Sequence, residues 1–296
     1  MGTRKFRRNR YCFRIAIIVV LIVATVLGLL VLMRKEPPSI PLKDISKKQV
    51  PKVAHISIDD ATSIFQNIIW AEYDSIFDNE ILGTLQNFHE EYDIKVTLYV
   101  FGESGEFAIW DFPQNYKDEF MNNFDWLQIG FHSGEDCLPE DDYVTQKEFE
   151  TDYQRMESAL WRIAGGNSVT SVLRLHYWYA TEEMVSYLRE QGITALLCRD
   201  STEASYNLTD EQVEMLYETR DGKLEIDGLT YYVTDVRLEK EVDIVATLEE
   251  KKNDRIVVIF THAWCFEENV QKLETAIQWL VKEKYQFNDL QPVQEE

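Results

Sequence analysis

From Lys52 to the end of the chain, seven short apolar runs rich in β-formers alternate with seven amphipathic helical runs, and this order constrains the fold most. The strand-like runs are Val53–Asp60, Lys95–Phe101, Leu127–Ser133, Val169–Trp178, Ile193–Asp200, Thr230–Leu238 and Arg255–His262. Helical spacing covers Asn79–Tyr92, Asn115–Phe124, Gln146–Ile163, Glu182–Gln191, Asp210–Glu218, Ile244–Lys252 and Val270–Lys284. Parallel neighbours need a long crossover, so a β-then-α order repeated this often predicts a parallel sheet, open or closed into a barrel. The unbroken Ile256-Val-Val-Ile-Phe run fits a strand covered on both faces. Thr181 and Thr209 stand where helices would be N-capped, and Gly165-Gly166 and Gly192 stand where helices would stop.

A different kind of segment precedes this array. Ile15 to Met33 holds 19 residues without a charge, long enough to cross a bilayer core. Arg4, Lys5, Arg7, Arg8, Arg10 and Arg14 precede it and only Arg34 and Lys35 follow, so the N-terminus is expected in the cytoplasm and the bulk of the chain outside. A cleaved signal peptide is the competing reading, but Val-Leu-Met-Arg-Lys lacks a small-x-small cleavage site. The chain therefore divides into a basic tail (1–14), a transmembrane anchor (15–33), a Pro-containing stalk (34–52), the alternating array (53–290) and a short tail (291–296).

Charge divides at the same place. Beyond residue 36 the chain carries 22 Lys and Arg against 51 Asp and Glu, a net charge of −29. Such a domain is a poor nucleic-acid binder and is repelled by anionic lipid. Its three cysteines, Cys137, Cys198 and Cys265, are odd in number and widely spaced, which is no disulfide framework.

In parallel α/β folds, chemistry gathers at the carboxyl ends of the strands. Here those ends carry Asp59-Asp60, then His132-Ser133 followed by Glu135 and Asp136, then Arg174, His176 and Tyr177, then Arg199-Asp200, Thr234-Asp235 and finally Thr261-His262. A histidine with two or three carboxylates from different strands can bind a divalent cation and leave a position for water. Two adjacent carboxylates repel, and that strain is relieved if one binds the cation and the other takes a proton. His176 keeps three readings open: substrate contact, spare ligand or packing. Tyr177-Trp178-Tyr179 and Trp264 could stack on sugar rings or simply pack loops.

The order and spacing of these ends resemble the polysaccharide deacetylase family, the NodB homology domain of carbohydrate esterase family four. Ser57-Ile-Asp59-Asp60 resembles its first motif, which implies Asp59 as catalytic base and Asp60 as metal ligand. His132-Ser133-Gly134-Glu135-Asp136 resembles the second motif, His-Ser/Thr-x-x-His, implying metal ligands at His132 and at Asp136, with Glu135 competing for the latter role. Arg174-Leu-His-Tyr177 resembles Arg-x-Pro-Tyr, whose Arg orients the base and whose Tyr backbone N–H helps hold an oxyanion. Phe260-Thr261-His262 resembles the closing Leu-x-His, making His262 the catalytic acid, and Trp264 is placed with Tyr177 among substrate contacts. By order along the chain Asp200 best fits the Asp that tunes this histidine, with Asp235 as runner-up.

Three positions depart from the family pattern: Ala61 replaces a Gly, Asp136 a metal His, and His176 a Pro. One His with two carboxylates is a hard ligand set, which would favour Co or Mn over Zn. The resemblance implies a distorted TIM-like (β/α)7 barrel preceded by one N-terminal transmembrane helix. Its implied function is a metal-dependent hydrolase, a membrane-anchored de-N-acetylase of a peptidoglycan-like or other cell-surface polysaccharide. The alternatives are a catalytically degenerate glycan-binding or scaffold protein, or a metal-dependent hydrolase of another C–N or ester bond. The expected location is the plasma membrane, single-pass, with the C-terminal domain extracytoplasmic. Oligomeric state is not legible.

Overall fold

Strand β1 (Lys52–Asp59) is the strand on which the first sheet is assembled. One edge runs parallel to β10 (Ile256–His262) from Val53↔Ile256 to Asp59↔His262. Its other edge meets β11 (Tyr285–Phe287) at Lys52–Ala54 and β2 (Val96–Ser104) at Ile56–Ile58. Beyond β2 lies β4 (Leu127–Glu135), also parallel, while β3 (Phe107–Ala108) turns back along the end of β2. The second sheet orders β5 (Val172–Leu173), β6 (Ala195–Leu197), β8 (Leu229–Tyr232) and the antiparallel β7 (Lys223–Ile226). This computed structural model describes residues 51–136, 145–219 and 221–290.

The two sheets meet at two thin seams. At one, a single bridge joins Ile129, on β4, to Val169 ahead of β5. At the other, the run 229–237 pairs with β6 at its start and with β10 at its end, where β9 (Val236–Arg237) forms. Seven parallel strand positions thus close into a distorted barrel.

Period-two alternation explains the core. On β1, Ala54, Ile56 and Ile58 are buried under helices, a burial worth about 1.5–3 kcal/mol for each large aliphatic side chain. The alternate residues, His55, Ser57 and Asp59, are also buried, on the other face. The helices are α1 (Thr62–Trp70), α2 (Glu80–Tyr92), α3 (Lys117–Asn122), α4 (Gln146–Ala164), α5 (Glu182–Glu190), α6 (Asp210–Glu218), α7 (Ile244–Glu250) and α8 (Phe266–Lys282). Thr181 and Thr209 cap α5 and α6 through their hydroxyls, and Gly165, at φ 82°, ends α4 in a conformation that favours glycine.

All seven expected runs contain strand, but Thr230–Leu238 is broken into β8 and β9, and two others form strands shorter than their sequence runs. β5 stops at Leu173 because the chain folds into a tight turn at His176–Trp178, with Tyr177 and Trp178 in the left-handed region. β6 stops at Leu197, before Arg199 and Asp200. Helix α1 was not foreseen: Ala61 supplies no side-chain cap and the first turn has no acid. It is held by packing, with Phe65 against Phe112 and Phe120 at 5.1 and 5.8 Å. The basic tail, anchor, stalk to residue 50 and C-terminal tail lie outside the described residues. Among the described residues no helix is long and apolar enough to cross a membrane.

Candidate active site

The end of β1 sets the geometry. Asp59 completes the strand with its carboxylate buried, and Asp60 then turns the chain at φ 54°, a left-handed conformation that Asp adopts more readily than most residues. Ala61 follows at φ −77°, so nothing in the backbone there requires the glycine of the family motif. The turn is pinned from β2: Ala61 N–H donates to the Tyr99 carbonyl at 2.9 Å. Thr62 Oγ1 donates to the Phe101 carbonyl and accepts from the Phe101 N–H. Adjacent carboxylates consequently point to different partners.

Asp59 faces Arg174. Its Oδ2 lies 3.3 Å from Arg174 Nε, and Ser57 Oγ sits 3.4 Å from Oδ1. Arg174 is fully buried, donates to Thr234 Oγ1 at 3.1 Å and stacks over the Phe260 ring at 4.1 Å. Burial pushes the Asp59 carboxyl upward in pKa against the pull of Arg174, His132 and His262. A carboxylate raised this way is a better proton acceptor near neutral pH than an exposed one.

Asp60 faces two histidines. Its Oδ1 lies 3.3 Å from His132 Nε2 and 3.9 Å from His176 Nδ1, and those two nitrogens are 3.3 Å apart. One donor atom each from Asp60, His132 and His176 falls within 4.8 Å of the others. The His132 ring orientation is fixed by the Arg174 carbonyl, 2.5 Å from Nδ1. A carbonyl only accepts, so Nδ1 carries a proton, and Nε2 is the nitrogen left facing Asp60. Asp60 Oδ1 is itself buried without a donor, whereas Oδ2 accepts from Trp264 Nε1 at 3.0 Å. Lone pairs converging on a donor-free point fit a divalent cation.

The three groups are coupled electrostatically. Burial works against the charged form of Asp60, but the hydrogen bond and charge of His132 outweigh it and hold its pKa down at about 2. For His132, burial is outweighed by the hydrogen bond to Asp60 and the charges of Asp59 and Asp60, which raise it. In His176, burial and then the neighbouring His132 charge lower the pKa to about 4, so that ring is neutral at pH 7 and ready to ligate.

Two sequence expectations are corrected here. Asp136 is not part of this donor group; its Oδ2 accepts from Ser104 Oγ at 2.6 Å, and its N–H from the β4 end reaches back to Glu103. The third donor is His176, brought in by the left-handed turn after β5, and Glu135 instead lines a cavity of about 100 Å³ beside the two histidines. With two imidazoles and one carboxylate, the set is softer than the one the sequence implied. Asp200 does not support His262 either. It is paired with Lys240 Nζ at 2.7 Å, and Asp235 with Lys251 at 3.0 Å and the Val258 N–H.

His262 is held instead by Glu239, in the turn Leu238–Lys240 after β9. Its Nδ1 donates to Glu239 Oε1 at 2.5 Å, and Arg237 Nε donates to the same oxygen at 2.6 Å. Burial alone would raise the Glu239 pKa, but the His262 hydrogen bond and charge bring it to about 2. Sequence reasoning passed over Glu239 because it lies beyond the strand end; its signal was position, two residues after the Arg237 that ends β9. Trp264, largely exposed, stacks on His262 at 5.1 Å, and Tyr177 packs against His176 at 4.1 Å.

No protein-family model and no curated protein matches the chain. Solved structures are similar to it over about four fifths of its length. One is a family 4 carbohydrate esterase from Bacillus anthracis, at 13% identity and TM-score 0.39, covering 80% of each chain. A second is a Streptococcus mutans CE4 esterase, at 11% identity and TM-score 0.44, covering 80% of this chain and 85% of that one. A third is the catalytic domain of a peptidoglycan N-acetylglucosamine deacetylase from Eubacterium rectale, at 12% identity and TM-score 0.40, covering 81% and 89%. At such identities and TM-scores, the functional reading rests on the side chains themselves.

Proposed function

We propose that this chain is a divalent-metal-dependent hydrolase that removes N-acetyl groups from an extracytoplasmic polysaccharide, peptidoglycan-like or another cell-surface glycan. The observation that carries the reading is the convergence of Asp60, His132 and His176 beside the Asp59–Arg174 pair and the His262–Glu239 pair. Asp60, His132 and His176 would hold the divalent ion, Zn, Co or Mn, which when bound would supply Lewis-acid polarisation of the acetyl carbonyl and a more acidic water.

The remaining work belongs to the chain. Asp59 takes the proton of the attacking water, with Arg174 and Ser57 fixing the direction of its carboxylate. Trp264 holds Asp60 Oδ2, which leaves Oδ1 for the cation. The Tyr177 backbone N–H, in the turn beside His176, is the donor proposed for the developing oxyanion. His262 gives a proton to the departing amine from Nε2, because Glu239 occupies its Nδ1–H. The apolar segment 15–33 would anchor the chain in the plasma membrane with its N-terminus cytoplasmic.

Acetate release from N-acetylated chito-oligomers by the full chain tests this. Release is expected to stop with chelator and return with Zn, Co or Mn. A protein that binds these oligomers but releases no acetate under any metal overturns the enzyme reading in favour of a glycan-binding protein.

A further inference from the structure

The cavity of about 100 Å³ beside the two histidines has no part in the proton steps above. It lies where β4 ends against α4, α5 and the turn after β5. Phe131, Phe149, Leu175 and Met184 give it apolar walls, and Ser133, Glu135 and Asp152 add acceptor oxygens. Ser133 is only 8% exposed, yet its hydroxyl makes no hydrogen bond to any described residue. The Asp152 carboxylate likewise has no hydrogen bond or ion pair among the described residues. A Cβ on Gly134 would stand 2.5 Å from Asp152 Oδ2, so the glycine is what lets this carboxylate close over the end of β4. Burial, and next the charge of Glu135, raise the Asp152 carboxyl in pKa. Arg155 pulls it down, but that guanidinium stacks on Trp110 at 3.3 Å and pairs with Glu103 at 3.6 Å. Three acceptors thus stand together in a largely apolar cavity, and among the described residues no cation is paired with them.

We propose that this cavity takes a primary ammonium group on a short aliphatic arm of the substrate, with Ser133, Glu135 and Asp152 as its acceptors. An ammonium has three N–H donors, and the cavity offers three acceptor groups to meet them. The apolar walls cover the methylenes of the arm, which a bare metal ion would leave unused. Size decides against a sugar ring: a cavity of about 150 Å³ takes benzene, so this smaller one suits a chain of roughly four or five carbons. His132 and His176 line the same cavity, so an arm seated there lies beside the cation group. A glycan substituted with basic amino acids carries such arms, and a bare N-acetylated glycan does not. The net charge of −29 beyond residue 36 adds a field that draws in a cationic substrate. Preference for an armed substrate rests on the deacetylase reading above; binding of the ammonium does not.

Calorimetry of the full chain with n-pentylammonium, and with 1-pentanol as its neutral counterpart, tests the binding. The wild type is expected to bind the ammonium at one site and the alcohol roughly tenfold or more weakly, the worth of a charged hydrogen bond. Asp152→Asn should weaken ammonium binding by roughly tenfold or more. Its unfolding temperature should not fall, because an unpaired and partly buried charge has been removed. If that variant melts lower, Glu135→Gln replaces it, with a similar weakening expected. Equal binding of ammonium and alcohol, no saturable binding of either, or wild-type affinity in these variants overturns the proposal. Acetate release is then compared on glycan fragments whose aliphatic arm ends in an amine or in a hydroxyl. KM should be roughly tenfold lower for the amine in the wild type, and the difference should vanish in Asp152→Asn. Equal KM values in the wild type overturn the substrate assignment. If no acetate is released by any preparation, the deacetylase reading fails while calorimetry still decides what the cavity binds.

Discussion

The two sides of the site are built on opposite principles. On the cation side, Asp60 Oδ1 is buried without a donor and two imidazole nitrogens face it. On the proton side, His262 Nδ1, Glu239 Oε1 and Arg237 Nε are all paired, at 2.5 and 2.6 Å. A side that must receive a cation leaves its lone pairs uncompensated, and one that must move a proton satisfies every atom but the one that reacts. Between them Asp59 is held by a buried guanidinium yet raised in pKa by burial.

The largest effect should come from the residue between the two sides. Asp59→Asn is expected to lower kcat by roughly 10³-fold, within the range for loss of a general base, with metal content unchanged. In the wild type, the acid limb of the kcat/KM profile should lie above the ordinary Asp pKa of about 3.9, because the raised carboxyl protonates first as pH falls. A limb at or below that value breaks the account of Asp59.

The cation side is tested next. His176→Ala should weaken Zn²⁺ or Co²⁺ binding by roughly a hundredfold, measured by competition with a chelating dye, while Asp136→Ala leaves it unchanged. The reverse ranking would restore the ligand set that the sequence implied. On the proton side, Glu239→Gln should cost roughly ten- to a hundredfold in kcat, the worth of a charged hydrogen bond. Asp200→Asn, whose native carboxylate pairs with Lys240 and not with His262, should leave kcat alone. Smallest of all, Trp264→Phe removes one exposed hydrogen bond to Asp60 and should shift kcat/KM by roughly a few-fold.

Comparison of these residues shows what a linear sequence carries. Asp59, Asp60, His132, Arg174 and His262 could be read because each lies at or near the carboxyl end of a strand, and the period-two pattern that makes a strand also fixes which rim its end reaches. His176 and Glu239 could not be assigned, since both sit in 3₁₀ turns after the strand ends. Where such a turn aims depends on a few dihedrals, here the left-handed Tyr177 and Trp178, and non-glycine residues give little warning of that conformation. Asp200 was misjudged for a related reason: β6 ends at Leu197, and the following residues carry Asp200 away toward Lys240. The barrel itself was legible because alternation over seven units leaves few topologies.

The thin seams of the barrel give the cation side another meaning. Asp60 and His132 follow from the first sheet, and His176 from the second, yet near β4 and β5 the sheets share one bridge, Ile129 to Val169. An ion held by all three would therefore be a clasp across a gap that backbone hydrogen bonding scarcely closes. Occupancy of the site and closure of the barrel would then be a single equilibrium, and a chain emptied of its ion would loosen first along that line.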